Sequence, residues 1–187
     1  MSHKSIWMIA SDLHGDRECT EKLLARYVES GASKLILLGD LLYHGPRNNL
    51  PKGYDPKGVI ALLNGVKNEV LCVRGNCDTE VDQMVLDFPI LADYAFLEKD
   101  GICVFATHGH RFHLGQLPPL KKGEVLLHGH THVPAAEPFG DGNLYLNPGS
   151  VSIPKENSPK GYLLWQGDEI TFCDLDGKVW RSYQIGK

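Results

Sequence analysis

The sequence predicts an α/β fold: two packed mixed β-sheets flanked by helices, built by residues 1–187 as a single domain. Three observations carry this reading. The first half alternates short apolar runs with amphipathic stretches, the pattern of strands joined by helical crossovers. The second half is a succession of short strand-like runs separated by Gly and Asp turns, the pattern of hairpins. And 187 residues, 42% apolar and 22% charged, suit one domain with a sizeable core and exclude a disordered chain.

Taken in order, residues 6–10 form a buried strand. Residues 21–30 place Leu23, Leu24, Tyr27 and Val28 at helical spacing, and Gly31 fits a C-terminal cap. Residues 35–38 form a second strand. Pro56 opens a second helix containing Val59, Ile60, Leu62 and Leu63. Residues 70–73 form a third strand, and this order predicts a parallel sheet with right-handed crossovers. Further strands are expected at 94–98, 102–106, 125–127, 144–146, 161–166, 169–173 and 179–183. Turns such as Lys99-Asp100-Gly101 and Gly140-Asp141-Gly142 separate several of them. No repeat, low-complexity segment or linker divides the chain.

Composition narrows the function. Nineteen basic against 23 acidic residues give a net charge of −4 with no basic run, so no extended nucleic-acid surface is expected. The apolar stretch at 6–10 is too short for a signal segment, and no run approaches a membrane span, which predicts no membrane association and a cytoplasmic location. Five cysteines, an odd number without a CxxC pair, argue against a disulfide framework. Cys72, Cys103 and Cys173 are expected as buried small hydrophobes, and Trp7, Trp165 and Trp180 as core or interface residues.

The chemistry lies in the polar residues that follow the strands. These are Asp12 and His14, then Asp40, then Asn76, Cys77 and Asp78, then His108 and His110, and finally His128, His130 and His132. Six of nine histidines (His108, His110, His113, His128, His130, His132) fall within 25 positions. In open α/β sheets, ligand sites gather at the carboxyl ends of strands, so these clusters should converge. On extended segments, residues two apart point the same way, which pairs Asp12 with His14 and His130 with His132. Mixed oxygen and nitrogen donors without a cysteine quartet suit Mn²⁺, Fe²⁺ or Zn²⁺ in an open catalytic site. Seven candidate ligands (Asp12, His14, Asp40, Asn76, His108, His130, His132) exceed one tetrahedral ion and suit two.

The ordered motifs Asp12-x-His14, Gly39-Asp40, Gly75-Asn76-x-Asp78, His108 and Gly129-His130-x-His132 resemble the calcineurin-like metallophosphoesterase superfamily. The likeness continues into Asn147-Pro148-Gly149-Ser150 and is nearest to its YfcE-type bacterial phosphodiesterases. The resemblance implies that Asp12, His14 and His132 hold one divalent ion, that Asn76, His108 and His130 hold the other, and that Asp40 bridges them. Mn²⁺ is the first expectation, with Fe²⁺, Zn²⁺ or Ni²⁺ as alternatives. It implies hydrolysis of a small phosphodiester by attack of a metal-bridging hydroxide. Where the wider superfamily has a proton-donating His, this chain has Cys77, with Asp78 as the carboxylate expected beside it. A thiol near cations is a poorer acid catalyst, so His44, or more remotely His110, is the alternative proton donor. Arg47, on the long loop at 41–55, is a candidate substrate clamp. The alternatives are a phosphomonoesterase or protein phosphatase, or a non-enzymatic interaction scaffold of the same fold; a homodimer or higher homo-oligomer is the expected assembly.

Overall fold

A computed structural model describes residues 5–186; residues 1–4, which begin the N-terminal stretch read above, and residue 187 lie outside the described residues. The elements run β1 (Ile6–Ala10), α1 (Arg17–Ser30), β2 (Lys34–Leu37), α2 (Pro56–Asn64), β3 (Val70–Cys72), α3 (Glu80–Gln83), β4 (Tyr94–Lys99), β5 (Ile102–Thr107), β6 (Val125–Leu127), β7 (Ala135–Phe139), β8 (Asn143–Asn147), β9 (Gly161–Gln166), β10 (Glu169–Asp174) and β11 (Val179–Gln184). They build one sheet in the order β11-β10-β9-β1-β2-β3 and a second in the order β4-β5-β6-β8-β7. β1, β2 and β3 are parallel, and β9 runs antiparallel to β1. In the second sheet β5, β6 and β8 are parallel, with antiparallel β4 and β7 at its edges.

Strand alternation divides the core into layers. On β1, Met8 and Ala10 face Leu23 and Tyr27 of α1 and Val59 and Leu63 of α2. Ile9, between them, faces the other way into a layer shared by both sheets, with Ile36, Trp165 and Phe172 on one side and Val104, Leu127 and Leu146 on the other. Each such fully buried aliphatic side chain contributes about 1.5–3 kcal/mol, so this middle layer binds the two sheets into one unit. α1 and α2 lie on the outer face of the six-stranded sheet. The outer face of the five-stranded sheet carries instead Phe105, Leu126 and Tyr145, packed by Phe112 and Leu120 from the connection between β5 and β6.

Four expectations need correction. α1 begins at Arg17, not at residue 21, because Asp16 caps it by accepting the N–H of Cys19. β7 was not anticipated, since it contains Pro138; Pro is tolerated because β7 is an outermost strand. α3 is also additional, a short turn held by reciprocal Thr79 and Asp82 bonds. Cys103 is only half-buried, and Trp180 is 39% exposed where it lies against Phe172, while Cys72, Cys173 and Trp165 are buried. No helix among the described residues is long and apolar enough to cross a membrane.

Candidate metal centre

β1, β2 and β3 are parallel, so their carboxyl ends lie on one edge, and β5 and β6 bring theirs to the same place across the middle layer. The six-stranded sheet thus delivers Asp12, His14, Asp40 and Asn76, and the five-stranded sheet delivers His108, His130 and His132. The local backbone differs from the extended segments expected. Asp12, His14, Asp40, His130 and His132 all have positive φ, between 47° and 65°. Asp, Asn and His are the non-glycine residues that enter this left-handed region most readily, yet it remains strained and is found preferentially at functional sites. Each motif therefore turns sharply off its strand and aims its side chain inward.

The glycines of two motifs are explained by how closely these turns approach. A Cβ on Gly39 would lie 2.3 Å from the backbone N of Gly75, and one on Gly75 would lie 2.1 Å from Asp40 Oδ1. The loops after β2 and β3 touch backbone to backbone, and this contact seats Asp40.

The donor atoms converge. His14 Nδ1 donates to the carbonyl of Tyr43 (2.8 Å), His108 Nδ1 to that of Leu38 (2.6 Å) and His132 Nδ1 to that of Ile153 (2.7 Å). These bonds occupy each Nδ1 with a backbone carbonyl and aim each Nε2 inward, the arrangement of metal-ligating histidines. His132 Nε2 lies 3.2 Å and His14 Nε2 3.5 Å from Asp12 Oδ1. Asp40 Oδ2 stands between His14 Nε2 (3.7 Å) and His108 Nε2 (3.5 Å), while its Oδ1 accepts the N–H of Cys77 (2.8 Å). On the far side, His108 Nε2 lies 3.1 Å from Asn76 Oδ1 and 3.2 Å from His130 Nδ1. Asp12 Oδ1 and His14 Nε2 are buried without a hydrogen-bond partner. Such orphaned groups cost about 1–3 kcal/mol each unless something else satisfies them. Asp12, His14 and His132 form one group of donors within 4.8 Å of one another, and Asp12, Asp40 and His108 a second. The donor set fits hard or borderline divalent cations.

Electrostatics agree. Burial disfavours charge on Asp12, but His132, His14 and His108 outweigh it and hold the carboxyl well below its usual range. Burial works against a charged His108 too, yet Asp40 and Asp12 lift it to about 9, so the carboxylates draw positive charge into the site. Burial and the neighbouring His108 hold His130 down at about 4, leaving a neutral donor. Burial, Asp40, Asp78 and Asp12 push the Cys77 thiol up, opposite to the pull that bound cations would exert.

The remaining sequence-derived residues divide. Cys77 and Arg47 line a cavity of about 490 Å³ over Asp40, Asn76, His130 and His132. Asp78 does not face it: its carboxylate accepts the backbone N–H groups of Asp40 (2.9 Å), Leu41 (2.9 Å) and Gly75 (2.7 Å), holding the two touching loops together. His44 is not among the cavity-lining residues; its ring sits edge-on to Tyr43 and Tyr54. His110 lines a neighbouring cavity with His113 and His128, which shares His130 and Thr131 with the first. Three contributions were missed from sequence. Ser150 and Ser152 donate to the carbonyl of Asp12 (2.8 and 3.0 Å). Asn147 Nδ2 reaches Gly129 O, Thr131 Oγ1 and Tyr145 Oη, so the Asn147-Pro148-Gly149-Ser150 turn steadies the ligand loops with its side chains. Lys155 lines the cavity together with Arg47.

The calcineurin-like phosphoesterase superfamily domain matches residues 6–169, from β1 into β10. The chain belongs to this superfamily. It is 48% identical over 171 residues to Phosphodiesterase YfcE of Escherichia coli strain K12, covering 90% of this chain and 91% of that protein. The solved structure of that phosphoesterase superposes with a TM-score of 0.93 at 45% identity over 97% of this chain and all (100%) of the other. More distant superfamily structures share the fold alone. Among them is Vacuolar Protein Sorting 29 from Cryptosporidium parvum, with a TM-score of 0.63 at 16% identity over 98% of this chain and 100% of that one.

Proposed function

We propose that the protein is a metal-dependent phosphodiesterase acting on a small phosphodiester, with Asp12, His14 and His132 holding one divalent ion, Asn76, His108 and His130 a second, and Asp40 shared. The observation that carries this reading is the placement of Asp40 Oδ2 between His14 Nε2 and His108 Nε2, beside the orphaned Asp12 Oδ1. The identity to a phosphodiesterase over most of the chain supports it. Divalent ions held there, Mn²⁺ foremost, supply Lewis-acid chemistry: a water made acidic enough to yield hydroxide near neutral pH, and neutralisation of charge growing on the phosphoryl oxygens.

This chain's own residues do the rest. Leu38, Tyr43 and Ile153 carbonyls orient the histidines, and Asp78 and the two serines fix the loops that carry the carboxylates. Cys77, at the cavity wall with its Sγ 3.2 Å from Asn76 Nδ2, occupies the position where the wider superfamily carries its proton-donating His. No side-chain nucleophile is required. The two sheets act as one domain, in the cytoplasm, as a homo-oligomer.

The test is hydrolysis of bis(p-nitrophenyl) phosphate by protein stripped of metal, verified by elemental analysis, with each ion then added back. Activity should vanish on stripping and return with Mn²⁺ or a similar ion. Full activity in metal-free protein, or a strong preference for phosphate monoesters, would overturn the reading.

A further inference from the structure

Resting on that reading, we propose that the cavity selects a diester whose second arm, the substituent that does not leave, carries an anionic group bound between Arg47 and Lys155.

The argument starts from depth. The cavity floor is made of buried Asp40, Cys77 and His132, whereas Arg47 and Lys155 are exposed at its mouth. Its volume, about 490 Å³, falls in the range that encloses a ligand well beyond a phosphate group. Both cations stand on segments tied to the site. Lys155 donates its backbone N–H to the carbonyl of His132 (3.1 Å). Arg47 lies in a turn closed by Asn48, whose Nδ2 donates to His44 O (2.8 Å) and whose N–H donates to Gly45 O (3.3 Å). Gly45 holds a positive φ of 79° there, and a Cβ on it would lie 3.3 Å from Cys77 Sγ.

Neither side chain has an ion-pair or hydrogen-bond partner among the described residues, in contrast to exposed cations such as Lys22 with Asp176, Lys67 with Asp87 and Lys122 with Asp141. In a chain with net charge −4, two unpaired cations lining one cavity make a local excess of positive charge. A reacting diester carries one negative charge, and the centre below already answers it. The cations at the mouth therefore match a further anion, a carboxylate or a terminal phosphate. Thr131 and Asn48 line the same cavity and supply neutral hydrogen-bonding groups.

The test holds the leaving group constant and varies the second arm. Metal-loaded protein is given 2-carboxyethyl, 2-phosphoethyl, propyl and choline p-nitrophenyl phosphate. kcat/KM for the two anionic arms should exceed that for the propyl arm by about tenfold, with the cationic choline arm below propyl, because a charge-assisted contact at a partly exposed site is worth about that factor. The carboxyethyl-to-propyl ratio should fall towards unity in the Arg47→Ala, Lys155→Ala double variant and at high salt, and Lys155→Arg should keep it. Calorimetric affinities for 2-carboxyethyl and propyl methylphosphonate, which do not turn over, should show the same ratio. Equal ratios for all arms in the wild-type protein would overturn the proposal. So would a double variant that lowers every ester equally, since the cations would then hold the reacting phosphate. If no ester is hydrolysed, the phosphodiesterase reading fails, and the phosphonate affinities still decide this one.

Discussion

Asn147 is fully buried: the two N–H groups of its Nδ2 are shared among Gly129 O (2.9 Å), Thr131 Oγ1 (2.9 Å) and Tyr145 Oη (2.8 Å), and its Oδ1 accepts the N–H of Gly149 (2.8 Å). Asn147→Ala removes these contacts and leaves the Gly149 N–H buried without a partner, while the Gly129 carbonyl keeps the N–H of Thr131 (2.7 Å) and the ring of His128 (3.0 Å). At about 0.5–1.5 kcal/mol net per hydrogen bond, the loss is about 2–4 kcal/mol of stability. For a domain of this size that lowers Tm by roughly 5–15 °C. The local effect is larger for activity, because Gly129 and Thr131 flank His130, and a ligand loop displaced by about 1 Å costs on the order of 10²-fold. The assay pairs urea unfolding of metal-free protein with kcat/KM on bis(p-nitrophenyl) phosphate and metal content at saturating Mn²⁺. Asn147→Asp, which keeps the bond from Gly149 but sets a negative charge against the Gly129 carbonyl, should fall at least as far. A stable Asn147→Ala variant, within about 1 kcal/mol of wild type and fully active, would refute the claim that this side chain steadies the metal centre.

Other perturbations test other parts. Asp40→Asn should lower occupancy at both metal positions and cut activity by orders of magnitude while circular dichroism reports an intact fold; loss of one ion only would refute the shared role. Cys77→His should raise turnover, most on poor leaving groups, and flatten the dependence of kcat/KM on leaving-group pKa, general acid catalysis being worth about 10²–10⁴-fold when the leaving group needs it; a variant slower on every ester with metals bound would give Cys77 another role. Burial first, and the neighbouring histidines with it, lower His128 from 6.5 to about 4 in the fold. The unfolded chain therefore binds this proton more tightly, and stability that is complete above pH 6.5 drains away as pH falls towards 4, by about 3 kcal/mol. Unfolding titrations of His128→Phe should show a shallower decline over that interval; an unchanged slope would mean that other groups carry it.

The strands, the two sheets and the convergence of the seven candidate ligand residues were legible because strand hydrophobicity and the polar residues at strand ends are local signals. Side-chain orientation was legible only in outcome. The expected alternation on extended segments pairs Asp12 with His14 correctly, but the chain achieves the pairing through left-handed turns. Pro138 concealed β7, since only a strand's position at the sheet edge makes proline acceptable there. His44 is adjacent to the loop that lines the cavity, and its ring packs edge-on to Tyr43 and Tyr54, a packing choice that the sequence does not announce. Asp78 reads as a partner for residue 77, but its oxygens are taken by backbone amides from a loop 37 residues upstream, which only the fold brings near. Lys155 was invisible because its neighbours in space, not in sequence, make it part of the cavity.

The left-handed turns at Asp12, His14, Asp40, His130 and His132 also set what this centre can become. A ligand position usually admits any side chain with a suitable donor, so that Glu, Cys or Tyr might retune which ion is held. Here the backbone vetoes much of that freedom. β-branched and bulky residues are genuine outliers at such φ values, and Glu and Cys lack the short polar side chain that lets Asp, Asn and His settle there. Drift at these five positions should therefore run towards Asn, His, Asp or Gly. Exchange among the first three alters charge and donor type but keeps the turn, whereas Gly relieves the strain and deletes the donor. Where a donor is lost through Gly, the backbone relaxes at the same step, and restoring the donor would bring the strain back.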